Sequence, residues 1–523
     1  MFKHIGSNWT LVFLQMGVML LLTPLMQSDA QGVGAGSYGM FLSIVSLIGF
    51  IELLALGVPM ATVKHITEGV ASGDAERTNR AFATSIGIAL GLGAVALVVG
   101  ALLYFPFEVR LDKLLAMEAG EAPPDARVLG ISSAARVTFA LIAVHGAFAF
   151  VLRLPYALFE AHHDFTTKNL IRAGGFVLRM VLVIGLLAWR PSIVMLAVAV
   201  AACTLFEFTC CLLVIRRKYP EVRPAPRHFD RTAVRGVFNF SIFATLVSVG
   251  SLLAFRMDGV VIYANLTADD VTAYANGNVF FEPLIGLMLG IGAVMMPTAT
   301  RLAAQGRRSE LVPILERWMR IGLTLQLLVC GYLVAFGPEF VGRWIDVKYE
   351  SLSGPITQVI GLSFIVFLPV RAVGLSALLG LGKAKRPALG LLVMGLANLV
   401  LSLALVKPFG ILGVALGTAI PNVIYAVWLL RELCNELEIS MRKLLMDLLH
   451  RIPLGLLPPV ALAIFMKSHV GPDSWPMILG AGVLWSLVFG LSWGFYVYRG
   501  DPHLDLRIVI AKLRARLGGG GEG

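Results

Sequence analysis

The chain has 523 residues, of which 57% are hydrophobic and only 14% charged, with a mean hydropathy of +0.81. Soluble domains carry about 25% charged residues, because a core needs a polar surface to cover it. This composition excludes a soluble enzyme, a secreted repeat protein and a disordered chain. The net charge of +11 is spread over many short loops, the pattern of a membrane protein's positive-inside bias rather than of a nucleic-acid surface.

About 20 apolar residues in a helix cross the roughly 30 Å hydrocarbon core. Fourteen runs meet that length in chain order: 8–27, 38–61, 81–106, 131–152, 170–189, 192–215, 238–262, 273–299, 318–337, 355–381, 388–406, 409–430, 452–467 and 476–498. The first follows Lys3 and His4. Its apolar core exceeds the roughly 7–15 residues of a signal peptide, so it reads as an uncleaved span. The weakest is 452–467, with Pro453, Pro458 and Pro459. His162-His163-Asp164 forms a compact cluster on the loop after the fourth span, too small alone to hold a metal. Cys203, Cys210, Cys211 and Cys330 lie inside apolar runs and Cys434 just outside one. The adjacent pair has neither zinc-site nor redox spacing, and all five read as packing residues.

Orientation follows from the cations. With the N-terminus inside, the cytoplasmic segments hold 31 Lys and Arg and the outer loops 8. That asymmetry predicts both termini in the cytoplasm. Residues 1–215 read as an N-terminal six-helix bundle, 216–237 as a basic cytoplasmic linker and 238–430 as a second six-helix bundle. Residues 431–523 add two helices and a basic amphipathic tail. The linker holds Arg216, Arg217, Lys218, Arg223 and Arg227 among three prolines. Its charge suits lipid headgroups or a nucleotide, although a loop between halves needs no ligand. The halves share a phrase: a tyrosine opens a span that ends at a proline and then a base, Tyr38 to Pro59 and Lys64, and Tyr274 to Pro297 and Arg301. Parallel repeats of this kind are one transporter plan. Ile439–Leu449 and Leu504–Leu517 are amphipathic and basic, as suits the membrane interface.

Eight ionisable residues fall inside the spans: Glu52, Arg136, Arg179, Glu207, Arg256, Asp258, Glu282 and Arg371. Such groups face a cavity or a partner, since hydrocarbon penalises charge. The four arginines suit binding of phosphate oxygens by their planar fork. Internal ion pairs are the alternative. The four acids are candidates for carrying a coupling ion. Pro155, Pro369 and Pro421 and the glycines Gly286, Gly290 and Gly292 predict bent spans. The sequence holds no G-x-x-x-x-G-K-[ST] phosphate loop, no H-E-x-x-H zinc motif and no channel filter. No catalytic residue, metal or cofactor is expected, and the chain reads as a transporter rather than an enzyme.

Several phrases carry a family resemblance: Gly36-Ser37-Tyr38-Gly39 leading to Glu52-Leu53-Leu54-Ala55-Leu56-Gly57; Arg153-Leu154-Pro155-Tyr156-Ala157; Asp258-Gly259-Val260-Val261-Ile262; Tyr274-Ala275; and Leu378 to Pro387. Over roughly residues 5–500 the chain resembles bacterial polysaccharide-export flippases. These belong to the superfamily of multidrug, oligosaccharidyl-lipid and polysaccharide exporters. The resemblance implies a V-shaped pair of bundles in the bacterial inner membrane. It implies flipping of an undecaprenyl-pyrophosphate-linked oligosaccharide from the cytoplasmic to the outer leaflet by alternating access. It implies a polysaccharide polymerase and glycosyltransferases as partners, no nucleic acid, and a monomer. Arg179, Arg256 and Arg371, then Arg136, would receive the substrate. Lipid II flippases, also of fourteen spans, and cation-coupled drug exporters, usually of twelve, are the alternatives.

Overall fold

The computed structural model describes residues 2–55, 58–119, 126–230, 234, 242–471, 474–501 and 505–508. All regular structure among them is helical. The helices are α1 (Phe2–Gln27), α2 (Ala35–Gly49), α3 (Val58–Ala71), α4 (Ala75–Ala119), α5 (Ala126–Leu152), α6 (Pro155–Ala161), α7 (Phe165–Trp189) and α8 (Ile193–Lys218). They continue as α9 (Ile242–Arg256), α10 (Asp258–Asn265), α11 (Ala268–Asn278), α12 (Phe281–Ala304), α13 (Leu311–Trp344), α14 (Lys348–Val370), α15 (Ser376–Gly380) and α16 (Lys385–Glu436). The last are α17 (Met441–Leu449), α18 (Ile452–His469) and α19 (Trp475–Ser492). Among the described residues eleven helices are long and apolar enough to cross a membrane, or twelve if the bent pair α9–α10 is one span. The chain is an all-α, polytopic membrane protein.

The breaks in these helices have local causes. The second predicted span is interrupted: α2 gives way to a 3-10 turn, Phe50–Ala55, before α3. The seventh bends by 45° between Arg256 and Asp258. The tenth loosens into a π-turn, Arg371–Leu375, directly after Pro369, whose missing N–H removes one rung of the helical ladder. In α18 Pro453 sits in the first turn, where no N–H is needed, whereas Pro458 and Pro459 lie inside the helix. In α16 the backbone reverses at Gly410, with φ 58° and ψ −140°. An L side chain rarely adopts that conformation, so glycine turns one 52-residue run into two antiparallel helices.

The chain forms two compact units. Unit 1 is Met1–Ala275 with Ala384–Pro421, and unit 2 is Asn276–Lys383 with Asn422–Gly523. In unit 1 the first arm of α16 lies tightly on α9. A Cβ on Gly395 would come within 2.7 Å of the Gly250 carbonyl oxygen, so the absence of a side chain permits the approach. Arg110 of α4 donates from Nε to the Tyr263 carbonyl at 2.8 Å and from a terminal nitrogen to that of Leu266. It thereby caps the C-terminal end of α10 with positive charge.

In unit 2 α13 pairs with α14, and α18 and α19 pack on α13 through Trp485, Phe489 and Trp493. The indole of Trp485 donates to the Leu328 carbonyl at 2.8 Å, and that of Trp493 to Thr324 Oγ1 at 2.9 Å. The predicted amphipathic segment at Ile439–Leu449 is α17. It buries Leu444 and Leu448 and leaves Met446 and Leu449 exposed. Most of the second, Leu504–Leu517, lies outside the described residues, as do 231–233 and 235–237 of the linker.

Candidate functional site

Asp258 opens α10 at the bend and is only 4% exposed. Tyr274 donates its hydroxyl to Oδ2 at 2.5 Å, and Thr418 Oγ1 lies 3.0 and 3.1 Å from the two carboxylate oxygens. Behind them, Asn398 donates from Nδ2 to Thr418 Oγ1 at 2.9 Å and to the Ala254 carbonyl at 3.0 Å. That carbonyl belongs to the last turn of α9, where the bend removes its helical partner. Ser402 Oγ reaches Asn398 Oδ1 at 3.4 Å and the Val414 carbonyl at 3.5 Å.

The geometry is set by the helical repeat. Asn398 and Ser402 are four apart on one arm of α16, and Val414 and Thr418 are four apart on the other, so each pair shares a face. The Gly410 reversal brings those faces together. A buried carboxylate, three hydroxyls, a side-chain amide and a main-chain carbonyl converge within unit 1. No lysine or arginine is paired with Asp258 among the described residues. Asn398 turns its Nδ2 toward Thr418, so the groups facing the carboxylate are hydroxyls, and one buried acid among them suits a proton or a hard monovalent cation.

Glu207 of α8 forms a second polar seam in unit 1. Tyr156 donates its hydroxyl to Oε2 at 2.8 Å. The carboxylate lies against α7 at Gly175, where a Cβ would come within 2.2 Å of Oε1. Arg172 and Arg153 are within electrostatic range. Arg179 stands one turn beyond Gly175 on α7, near Tyr38 of α2 and Cys203 of α8. Among the described residues it makes no ion pair. An acid and a base therefore lie along the α7–α8 seam without neutralising each other directly.

The other predicted residues are dispersed. Arg371 is 7% exposed in the π-turn of unit 2, its guanidinium carbon 5.9 Å from the Phe367 ring centroid, with Tyr425 close by. Arg136 is ion-paired to Glu108 at 2.6 Å and Asp112 at 3.5 Å. Arg256 is exposed at the end of α9, and Glu282 is exposed in the first turn of α12. The backbone of Glu52 is in the 3-10 turn, but its side chain lies outside the described residues.

The His162-His163-Asp164 cluster serves the fold. Asp164 accepts from Thr167 at the start of α7, from Lys218 at 2.5 Å and from the Tyr219 hydroxyl at 3.2 Å. Burial would push its carboxyl up, but the Lys218 and Thr167 hydrogen bonds together outweigh it and hold the value below the ordinary one. His162 stacks on Tyr219 with centroids 4.1 Å apart. Burial lowers its affinity for a proton and raises the Tyr219 phenol to about 12. Among the described residues no three His, Cys, Asp or Glu gather as metal ligands.

No family model matches the chain. A curated relative, an uncharacterized membrane protein of Methanocaldococcus jannaschii, is 22% identical over 256 residues, 48% of this chain and 49% of that protein. The chain thus spans about half the length of that relative. Solved structures reach much further. The lipid II flippase MurJ in an inward closed conformation superposes with TM-score 0.69 at 15% identity, covering 95% of this chain and 99% of that one. An inward-facing multidrug resistance MATE family transporter of the MOP superfamily gives 0.60 at 15% identity, covering 83% and 96%. A MOP superfamily transporter from Pyrococcus furiosus, described as having a binding pocket of reverse polarity, gives 0.55 at 14% identity, covering 84% and 97%. The chain has the fold of MOP-superfamily transporters, shared with multidrug exporters over most of its length and with a lipid II flippase over nearly all of it.

Proposed function

We propose that the protein is an alternating-access flippase that moves a polyprenyl-pyrophosphate-linked oligosaccharide from the cytoplasmic to the outer leaflet of the bacterial inner membrane. The extent of the fold match supports the flippase part of this reading, while the oligosaccharide cargo rests on the resemblance of the sequence phrases to polysaccharide-export flippases. The multidrug-exporter structures cover 83–85% of the chain, whereas the lipid II flippase covers 95%. Fourteen spans in two six-helix halves with a C-terminal pair remain part of this proposal, and both termini are placed in the cytoplasm by the cation split of 31 to 8. Arg179 and Arg371 are the substrate-facing cations of this proposal, because each lies deep in a span, Arg179 in α7 of unit 1 and Arg371 in the π-turn of unit 2. Arg136 is the weaker candidate, being paired with Glu108. Asp258 is the proposed coupling residue, through the oxygen cluster around it, with Glu207 next.

A second reading is favoured by the same coverage: the lipid-linked cargo is lipid II itself. Reconstitution separates the two. Liposomes holding the purified protein and a fluorescent lipid-linked oligosaccharide are expected to expose the label to an impermeant quencher faster than empty liposomes. Parallel liposomes with labelled lipid II test the second reading. Acceleration of lipid II alone would replace the first reading by the second, and acceleration of neither would overturn both.

A further inference from the structure

The segment after α8 has the composition of a loose linker, yet the structure straps it to α4. Asn79 of α4 donates from Nδ2 to the Glu221 carbonyl at 3.0 Å and accepts from the Arg223 N–H at 2.6 Å. Thr84 Oγ1 accepts from the Asp230 N–H at 3.0 Å. Val222 is buried in the core cluster that includes Ile66, Phe82 and Phe159. The Phe229 ring leans on Gly87, where a Cβ would come within 2.5 Å of it. Pro220, Pro224 and Pro226 stiffen the path by fixing φ.

This strap presents charge outward. Arg216 and Arg217 occupy the last turn of α8, and Arg223 and Arg227 follow on the strap; all four are exposed. Lys218 is engaged by Asp164, and Arg223 Nε by the Pro220 carbonyl at 3.0 Å. Among the described residues none of the four arginines has a carboxylate partner. Glu221 is the single exposed acid between 216 and 230. With 26 residues, α8 is about 39 Å long, against a hydrocarbon core of roughly 30 Å. Its basic last turn therefore emerges at headgroup level. Val222 turns inward and Phe229, 40% exposed, leans on α4, so the four arginines make up most of what the strap presents outward.

We propose that the pinned strap 216–230 is a binding surface for anionic phospholipid headgroups of the leaflet at the C-terminal end of α8. Holding four cations in one array next to a membrane-crossing helix distinguishes it from the diffuse basic bias of the other loops. Each Lys or Arg near an anionic surface contributes an attraction equivalent to about fivefold in binding.

The test uses the full chain in nanodiscs of phosphatidylcholine, with and without phosphatidylglycerol. Lipid retained per protein is read by mass spectrometry, and thermal stability is measured in both. Native protein is expected to enrich phosphatidylglycerol and to melt higher in its presence. Replacing Arg216, Arg217, Arg223 and Arg227 together by Gln should abolish the enrichment while leaving the melting point in pure phosphatidylcholine unchanged. The corresponding Lys replacements keep the charge and should keep the enrichment. Asn79→Ala, which keeps every charge but releases the strap, should reduce it several-fold. Native enrichment in the Gln variant, or its loss in the Lys variant, would overturn the proposal. An equal stabilisation by soluble glycerol phosphate would do so too, since it would assign the site to free anions.

Discussion

A carboxylate set at a helix break in an apolar segment must be neutralised, solvated or hydrogen-bonded, because burial without compensation costs several kcal/mol. Asp258 takes the third course, with Tyr274 and Thr418 as its donors. Two substitutions separate support of the fold from ion coupling. Asp258→Asn keeps the shape and most of the hydrogen bonds but removes the charge. It is expected to leave the melting point within a few degrees of native while abolishing any cation or proton dependence of flipping in reconstituted vesicles. Thr418→Val removes one hydroxyl, leaves Asn398 and Asp258 each short of a partner, and should destabilise by about 1–3 kcal/mol. An Asp258→Asn protein whose flux responds to the ion gradient like the native one would remove Asp258 from coupling. The charge of Asp258 made it visible in the sequence. Asn398, Ser402 and Thr418 were not singled out, because uncharged polar residues in apolar runs barely change hydropathy. The four-residue spacings Asn398–Ser402 and Val414–Thr418 were legible in principle, but only with the Gly410 reversal known do they face each other.

At the scale of elements, long apolar runs were the strongest signal, and their interruptions the weakest. The run 38–61 reads as one continuous span, yet it contains a 3-10 turn, and nothing in its hydropathy marks the change. The bend before Asp258 was equally silent, whereas the π-turn after Pro369 had a proline to announce it. The C-terminal pair α18–α19 reads in sequence as an addition to the two halves, but its aromatic residues are built into unit 2. Trp485 is 2% exposed, and its ring passes within 2.9 Å of where a Gly331 Cβ would stand. In lipid the transfer term for an apolar side chain largely cancels, so packing and the indole hydrogen bond carry the stability. Trp485→Ala should therefore destabilise by roughly 2–3 kcal/mol, the cavity contribution of a large-to-small change. Trp485→Phe should recover most of the packing and lose only the bond to Leu328. Melting of the purified variants in detergent checks this. An unchanged transition for Trp485→Ala would mean that the pair is merely appended to α13.

At the scale of the whole molecule, orientation is a separate question from fold, because no helix contact distinguishes a bundle from its inverted copy across a membrane. The determinant is the energetics of moving Lys and Arg during insertion, and the split of 31 against 8 puts the burden on one side. The structure supplies exposed positions where that inference can be read. Val347, on the turn before α14, is 67% exposed, and Thr267, on the turn before α11, is exposed. Arg227 is exposed on the strap. The five native cysteines are buried or half-buried, but Cys210 is accessible enough that a cysteine-free background is needed. In that background Thr267→Cys and Val347→Cys should react with an impermeant thiol reagent added to intact cells. Arg227→Cys should react only after the inner membrane is opened. Both outer sites precede helices on the side predicted to carry few cations, so they must label together. Labelling at 227 in intact cells, with silence at 267 and 347, would invert the topology. The proposed direction of flipping would then have to be reassigned, while the fold and the Asp258 cluster would stand unchanged.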